Sequence, residues 1–243
     1  MNDASAPARI LDWDTAFFGV RIAQAGPPAN PAAWSALKEW FSVNQVQCAY
    51  SLCPADDFQA QQSLQANGFR FVDCRMTLRR GLTDKQPMTT AAKVRWRMAA
   101  AGDLQALRDL AGVSHRQTRF YADGRFPLDQ CDALYRVWIE RDLTLPDAAV
   151  WIPDVDGTAQ GYLTCQRMAE GKGRIGLFAV APRWQGQGIG RGLLAAGLAW
   201  FAAEGVREVE VATQANNTAA LRTYERAGFW TDKTECWFHR WFK

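Results

Sequence analysis

A glycine-rich turn between an apolar strand and a long apolar helix constrains this chain more than any other feature. Glycine occupies alternate positions in the turn: Gly186, Gly188, Gly190 and Gly192. Residues 175–180 before it predict a strand, and residues 189–203, approximately, predict a helix. Because glycine has no Cβ, backbone N–H groups in such a turn can approach an anion beside the positive end of a helix. The pattern therefore predicts a pyrophosphate-binding loop.

This turn has two other readings. One is an ordinary turn before a core helix, although four glycines in seven residues exceed what a turn needs. The other is a nicotinamide or flavin dinucleotide site, because Gly190-x-Gly192-x-x-Ala195 fits the Rossmann fingerprint, with Glu208 or Glu210 as its acidic partner. That fingerprint needs its glycines in the turn, whereas these glycines lie inside the predicted helix.

The turn also matches the pattern Gln/Arg-x-x-Gly-x-Gly, in Gln185-x-x-Gly188-x-Gly190, after a short lead-in over residues 182–184. In this it resembles the coenzyme A loop of the GNAT N-acetyltransferase superfamily. The match to the pattern and the short lead-in after the strand favour this interpretation.

A second motif follows further along the chain, Asn217-x-x-Ala220-x-x-x-Tyr224-x-x-x-Gly228-Phe229. The spacing places Asn217, Ala220 and Tyr224 on one helical face, and Gly228 is typical of the residue just after a helix. By itself, Tyr224 is typical of a half-buried core tyrosine. After this loop, it resembles the GNAT tyrosine that protonates the departing CoA thiolate.

The GNAT resemblance implies an acyl-CoA N-acyltransferase fold, of α/β class with a mixed sheet. It implies acetyl-CoA, or another short acyl-CoA, as co-substrate, and no metal. We expect a backbone N–H between positions 178 and 180 to polarise the thioester carbonyl. The residues expected to bind the coenzyme are Leu177, Phe178, Ala179, Val180, Gln185, Gly186, Gln187, Gly188, Ile189, Gly190, Arg191, Asn217, Ala220 and Tyr224.

Length and composition limit the class of protein. The chain has 243 residues, of which 48% are hydrophobic and 22% charged, which is ordinary for globular domains and suggests about two units. The net charge of +3 and the absence of a Lys/Arg block do not favour nucleic-acid binding. No apolar stretch predicts a membrane span and residues 1–7 do not resemble a secretory signal. Six cysteines without a C-x-x-C pair, and only two histidines, predict no metal site and a cytoplasmic location.

The composition divides the chain into two predicted domains. Residues 83–92 are polar and read as a linker between a small N-terminal domain, 1–82, and a GNAT acetyltransferase domain, 93–243. Residues 63–71 are similar to residues 223–231, since both predict a helix that ends at Gly-Phe before a strand. The first domain is therefore interpreted as a degenerate GNAT-like copy. It has no glycine loop, so we expect it to shape the acceptor site rather than to bind coenzyme.

Further segments resemble one branch of the superfamily. Trp13-Asp14-x-x-Phe17-Phe18-Gly19 is similar to the W-(D/E)-x-x-F-F-G segment of the TDP-fucosamine acetyltransferases of surface-polysaccharide synthesis. Residues 119–126 and 135–139 resemble the central segment of that family, and the resemblance runs along nearly the whole chain.

This branch acetylates the amine of a TDP-linked 4-amino-4,6-dideoxy sugar. The resemblance implies a nucleotide-linked amino sugar as partner substrate and implies that Phe17 and Phe18 contact it. It also implies that Asp73, where the relative has glutamate, accepts the amine proton. A solvated strand carboxylate is the alternative reading of Asp73, and Glu210 is the second candidate for the base.

The predicted acceptor segment is basic and aromatic. Arg119 and Arg125 suit a diphosphate, because guanidinium groups bind phosphate in a fork geometry. Phe120, Tyr121 or Phe126 could stack on a base or a sugar face. An ordinary surface loop is the alternative interpretation.

Other functions stay open at this point. The acceptor of a GNAT enzyme could be an aminoglycoside, a polyamine or a protein N-terminus, although a polyamine favours an acidic cleft. A catalytically silent coenzyme A sensor is the rival outside the enzymes. The C-terminal aromatic run, Trp237, Phe238, Trp241 and Phe242, fits either the edge of a homodimer or the core.

Overall fold

A computed structural model describes residues 7–82, 94–154 and 160–242. The predicted linker, 83–92, lies outside the described residues. The chain divides into two compact units. Unit 1 comprises Met1–Arg75, Thr118–Phe126 and Lys233–Lys243, and unit 2 comprises Met76–Gln117 and Pro127–Asp232.

Strands and helices alternate up to residue 81 and again from residue 172 onward. The helices are α1 (Asp12–Phe18), α2 (Pro31–Val43), α3 (Phe58–Ala66), α4 (Leu104–Ser114), α5 (Arg119–Asp123), α6 (Leu128–Thr144), α7 (Ile189–Ala203) and α8 (Thr218–Arg226). The strands are β1 (Ala8–Ile10), β2 (Ile22–Ala25), β3 (Cys48–Pro54), β4 (Arg70–Gly81), β5 (Trp96–Met98), β6 (Ala148–Pro153), β7 (Gly161–Met168), β8 (Lys172–Val180), β9 (Glu208–Gln214) and β10 (Trp230–Trp241). Strands β4 and β10 contribute residues to both units.

The sheet of unit 1 has the strand order β1-β2-β3-β10-β4. It is mixed, because β2 runs parallel to β3 while β1 with β2 and β3 with β10 pair antiparallel. Helix α2 buries Trp34, Leu37 and Phe41 in the core of this unit. The Trp34 indole N–H also donates to the Ser63 hydroxyl at 2.7 Å, which fixes α2 against α3.

The sheet of unit 2 has the strand order β4-β9-β8-β7-β6-β5. It is also mixed, since β8 and β9 are parallel and β5 to β8 pair antiparallel in sequence. Helix α7 is apolar on most of its surface and buries Leu193, Leu194 and Phe201 against this sheet. Both units therefore have the mixed α/β architecture that the sequence predicted.

The chain contains a longer internal repeat than the short similarity in its sequence indicated. Each boundary of β9, α8 and β10 lies 160 residues after the matching boundary of β3, α3 and β4, from Cys48 and Glu208 onward. Helices α2 and α7 end at the same offset, and β2–β3 and β8–β9 are both parallel pairs. The first copy joins β2 to α2 through residues 26–30 where the second has the glycine turn, and it has Leu64 at the position of Tyr224.

Several predicted elements occur at their predicted places. The helix expected over residues 189–203 is α7, and the strand expected over 175–180 is the second half of β8. The sequence of residues 114–127 has no hydrophobic periodicity that predicts a helix, yet the structure forms the short helix α5 within it. In the part of the chain that the structure describes, no helix has both the length and the apolar character needed to cross a membrane.

The C-terminal aromatic run is part of an interior strand of the unit 1 sheet. Strand β10 lies between β3 and β4, and Phe238 is 1% exposed in the core. The reading of this run as a sheet edge for a homodimer is therefore wrong, because both edges of the strand already have a neighbour.

Candidate functional site

The glycine turn has the backbone geometry that an anion-binding loop requires. Gly186 and Gly188 have φ angles of 76° and 83°, in the left-handed region that glycine enters without steric cost. A Cβ built at either position would meet open space, so the turn faces solvent. The side chain of Gln185 donates to the Val180 carbonyl at 3.0 Å, and that of Gln187 donates to the Arg183 carbonyl at 2.9 Å. These two bonds tie the turn to its own lead-in.

Helix α7 presents its free N–H groups directly after the turn. Gly188 precedes the helix, and its carbonyl accepts from the Gly192 N–H at 3.0 Å. The N–H groups of Ile189, Gly190 and Arg191 therefore precede the first intrahelical hydrogen bond. These three N–H donors and the positive end of the helix dipole make the start of α7 suitable for binding a diphosphate.

The glycines at positions 190 and 192 of α7 also allow close packing. A Cβ at Gly192 would lie 1.9 Å from the Trp96 ring, and one at Gly190 would lie 3.2 Å from the Phe178 ring. Only glycine allows the helix to approach these rings. The dinucleotide fingerprint thus fails on position, because its glycines occupy the helix and not the turn.

Strands β8 and β9 pair over only part of their length. Their parallel register runs from Lys172 with Glu208 to Ile175 with Val211, although β8 continues to Val180. A register shift with β7 follows at once, and there the Leu177 N–H donates to the Thr164 hydroxyl at 2.8 Å. Residues 178–180 pair with β7 on one edge, while the described register with β9 ends before them. Their backbone can therefore bind a ligand on that side.

Tyr224 lies on α8 beside this section of β8. Its ring centroid is 5.9 Å from that of Phe178 and 5.6 Å from that of Phe229, and the residue is 3% exposed. Burial raises the pKa of the phenol above its ordinary value, so the group is protonated at neutral pH. The Asn217 side chain accepts from the Ala220 N–H at 3.2 Å and caps α8. Asn217 and Ala220, both predicted to contact the coenzyme, thus fix the start of the helix that carries Tyr224.

Asp73 lies on β4 within unit 1 and is 9% exposed. Burial raises the pKa of its carboxyl to about 6, against the opposing effects of the Cys74 N–H at 2.8 Å and of the Arg119 charge. A carboxyl with that pKa is ionised near neutral pH and can accept a proton. The other candidate, Glu210, lies on β9 and is paired with Arg174 at 3.1 Å.

Arg119 is enclosed by aromatic rings. Its guanidinium lies 4.2 Å from the ring centroid of Tyr50 and 4.3 Å from those of Phe120 and Trp237. It also lies within hydrogen-bond distance, 3.0 Å, of the His239 ring nitrogen Nε2. Cation–π contacts of this kind hold the side chain in one position.

A buried Asp–His pair in unit 1 was missed by the sequence analysis. His239 Nδ1 lies 2.6 Å from an Asp123 carboxylate oxygen, and the Trp241 indole N–H donates to the same carboxylate at 3.0 and 3.1 Å. Burial lowers the pKa of His239 to about 4, so the ring is neutral at pH 7. It then donates from Nδ1 to Asp123 and accepts at Nε2 from Arg119.

The remaining residues that were predicted to bind the acceptor substrate differ in solvent exposure. Phe18 and Phe120 are both 4% exposed, stack at 5.4 Å and pack around Phe126. These rings form the core of the segment and leave no free face for a base. Phe17 and Tyr121 are half-buried. The side chain of Arg125 is exposed and lies 6.0 Å from the Trp241 ring centroid.

Comparison with known proteins identifies the family. The acetyltransferase (GNAT) family matches residues 112–229. The chain is also 30% identical to a dTDP-fucosamine acetyltransferase of Escherichia coli over 237 residues, which cover 95% of this chain and 96% of that protein. The chain belongs to the GNAT acetyltransferase family. Its predicted fold and enzyme class are thereby confirmed, and acyl-CoA is the co-substrate of this family.

Other similarities of this GNAT acetyltransferase are weaker. It is 28% identical to the spore coat polysaccharide biosynthesis protein SpsD of Bacillus subtilis over 58% of this chain and 48% of that protein. The crystal structure of a GCN5-related N-acetyltransferase from Sphaerobacter thermophilus superposes with a TM-score of 0.68, at 19% identity, over 96% of this chain and 76% of that one. At that identity the superposition supports the fold alone.

Proposed function

We propose that this GNAT acetyltransferase moves an acetyl, or another short acyl, group from acyl-CoA to the amine of a nucleotide-linked amino-deoxysugar. One observation carries the acceptor class. The alignment with the dTDP-fucosamine acetyltransferase of Escherichia coli extends along 95% of the chain, beyond the family's common core. The similarity to a spore coat polysaccharide biosynthesis protein supports a role in surface-polysaccharide synthesis.

The residues around the glycine turn fit acyl-CoA. Gly186 and Gly188 keep the turn open, and the free N–H groups at the start of α7 would bind the diphosphate of the coenzyme. The unpaired edge of residues 178–180 would orient the pantetheine arm and the acyl group. Bound acyl-CoA supplies a thioester, whose carbonyl carbon accepts the sugar amine.

Each remaining step is assigned to a residue of this chain. Asp73, directly or through one water, accepts a proton from the amine, which frees the nitrogen lone pair. A backbone N–H between positions 178 and 180 donates to the thioester oxygen as the C–N bond forms. Tyr224 gives its proton to the sulfur as the C–S bond breaks. The nitrogen loses a second proton after the C–N bond forms, and through water this proton replaces the one that Tyr224 gave to the sulfur. Asp73 releases the first proton to solvent, so the products are the amide, the CoA thiol and one proton.

The two copies of the repeat suggest different roles, one in acceptor binding and the other in coenzyme binding. The first copy has neither the glycine turn nor the tyrosine, since Leu64 stands at the position of Tyr224. We assign acceptor binding to the predicted N-terminal domain, 1–82, together with the segment around Arg119 and Arg125. Coenzyme binding and thiolate protonation belong to the predicted catalytic domain, 93–243.

The experiment is thiol release from acetyl-CoA with a panel of acceptors. The panel contains TDP- and UDP-linked 3-amino and 4-amino deoxysugars, an aminoglycoside and spermidine. Saturable release with one nucleotide-linked amino sugar is the expected result, and it also identifies the nucleotide. Release with spermidine or the aminoglycoside alone would keep the enzyme class and refute the proposed acceptor.

A further inference from the structure

Unit 1 contains a surface pocket that includes Arg125 of the proposed acceptor segment. It is formed where β4 begins and β10 ends, beside the residues that follow α5. Its lining includes Gly68, Arg70, Phe71, Arg125, His239 and Trp241.

The pocket is positively charged. Arg70 and Arg125 are exposed, and within residues 7–82, 94–154 and 160–242 neither forms an ion pair. Asp123 also lines the pocket, but its side chain is 3% exposed and its oxygens accept from His239 and Trp241. The Asp123 carboxylate therefore interacts with His239 and Trp241 inside the protein. The guanidinium groups of Arg70 and Arg125 face solvent.

The pocket also offers aromatic surface. Phe71 is 52% exposed, which is unusual for a phenylalanine on a strand. Trp241 is held in place by its two hydrogen bonds to Asp123, so its indole is a rigid part of the wall. A fixed indole beside exposed guanidinium groups matches the two parts of a nucleotide, which are a flat base and a charged phosphate chain.

We propose that this pocket binds the nucleoside diphosphate part of the acceptor. Arg70 and Arg125 bind the diphosphate oxygens, and Phe71 or Trp241 contacts the base. The Asp123–His239 pair positions the wall of the pocket rather than touching the ligand. The inference rests on the proposed function and assigns to it two residues, Arg70 and Phe71, that the sequence did not single out.

Coenzyme A also contains a nucleoside diphosphate, so the experiment must separate the two sources. Calorimetric titration of the full chain with dTDP is performed in the presence of saturating CoA. Wild type is compared with Arg70→Ala, Arg125→Ala and the matched control Arg21→Ala, an exposed arginine of unit 1 outside the pocket. Arg70→Gln and Arg125→Gln serve as second variants if either alanine variant unfolds.

Each pocket variant is expected to weaken dTDP binding about tenfold or more, since hydrogen bonds to charged groups contribute roughly 1.5–3 kcal/mol. The affinity for CoA and the dTDP affinity of Arg21→Ala stay at the wild-type value. Thymidine, which has no phosphate, binds much more weakly than dTDP. Equal dTDP affinity in wild type and both pocket variants, or no dTDP binding by wild type, would overturn the inference.

The pocket assignment and the proposed function can fail separately. If wild type acetylates a nucleotide amino sugar and the Arg70→Ala and Arg125→Ala variants keep its KM, the function stands and the pocket assignment falls. If dTDP binds in an Arg70-dependent manner but no nucleotide amino sugar is acetylated, the pocket stands and the proposed function falls.

Discussion

The ring centroids of Tyr224 and Phe178 lie 5.9 Å apart, with the ring planes at 50°. Phe178 belongs to the part of β8 that continues beyond its pairing with β9, and Tyr224 comes from α8. The contact brings the Tyr224 ring against a side chain of the section of β8 that lies beyond the described register with β9. One ring–ring contact thus links the proposed proton donor to the proposed carbonyl-binding strand.

Replacement of Tyr224 by phenylalanine tests the proton donor. We expect kcat to fall by roughly 10²–10⁴, the usual contribution of a general acid, because the thiolate then leaves unprotonated. The ring packing against Phe178 and Phe229 is preserved, so the melting temperature and CoA affinity should change little. Stopped-flow thiol release measures kcat, and an unchanged value would remove Tyr224 from the mechanism.

Gly188 and Gly192 are expected to respond differently to alanine. Gly188→Ala forces a side chain into a left-handed conformation at a cost of roughly 1–2 kcal/mol, but the exposed turn can relax when CoA is absent. CoA affinity should therefore fall about 5- to 30-fold with little change in stability. Gly192→Ala drives a methyl group into Trp96 and should lower stability by about 1–3 kcal/mol.

Calorimetry with CoA and thermal unfolding distinguish the two glycine variants. Loss of CoA affinity confined to Gly192→Ala, or destabilisation confined to Gly188→Ala, would contradict the roles assigned to these residues.

The raised pKa of Asp73 predicts a pH dependence. Its carboxyl titrates near pH 6 when folded and near 3.8 when unfolded, so between these values the folded state binds more protons. This group therefore lowers stability as pH rises from about 4 to about 6. The Asp73→Asn variant lacks this pH-dependent loss of stability. The free energy of unfolding of the variant, relative to that of wild type, should therefore increase from about pH 4 to about pH 6.

The same substitution tests the base. In wild type the rising limb of kcat/KM against pH should have a midpoint near 6, and Asp73→Asn should lose this limb together with most of its activity. Urea unfolding at several pH values and initial rates supply the two readouts. A wild-type limb retained in Asp73→Asn would assign the base to another group.

Arg80 and Arg240 occupy equivalent positions in the two copies of the repeat. Their different partners predict different losses of stability when each arginine is replaced. Arg80 Nη1 donates to the Ala227 carbonyl at the end of α8, and the residue is 8% exposed. Arg240 packs against Gly68 at the end of α3, but its Nη1 has no hydrogen-bond partner within the described residues. Arg80→Met should cost roughly 1.5–3 kcal/mol, and Arg240→Met less.

Urea unfolding followed by tryptophan fluorescence compares these two variants. Equal losses of stability would mean that the bond to Ala227 contributes nothing beyond the packing that both arginines share.

Sequence reasoning succeeded where the signal is local. The glycine turn and α7 were predicted because conformational freedom and helical periodicity are properties of neighbouring residues. The helix that carries Tyr224 was predicted because its capping residue and its terminating glycine are close in sequence, with Asn217 at one end and Gly228 at the other.

Sequence reasoning failed where distant residues meet. Asp123 and His239 are 116 residues apart, and no local pattern reports their contact. The burial of Phe18 and Phe120 has the same origin, since each ring alone is as consistent with a ligand site as with the core. The proposed role of Arg70 has no signal in the sequence, because a single arginine at the start of a strand is ordinary until the fold brings Arg125 and Trp241 to the same pocket.

The most direct test of the central claim is the mass of the product formed from acetyl-CoA and a TDP-linked 4-amino-4,6-dideoxy sugar. The account predicts an intact nucleotide sugar heavier by one acetyl group, formed by wild type and almost absent with Tyr224→Phe. An unmodified nucleotide sugar, recovered from a reaction in which the enzyme is folded and binds CoA, would contradict it.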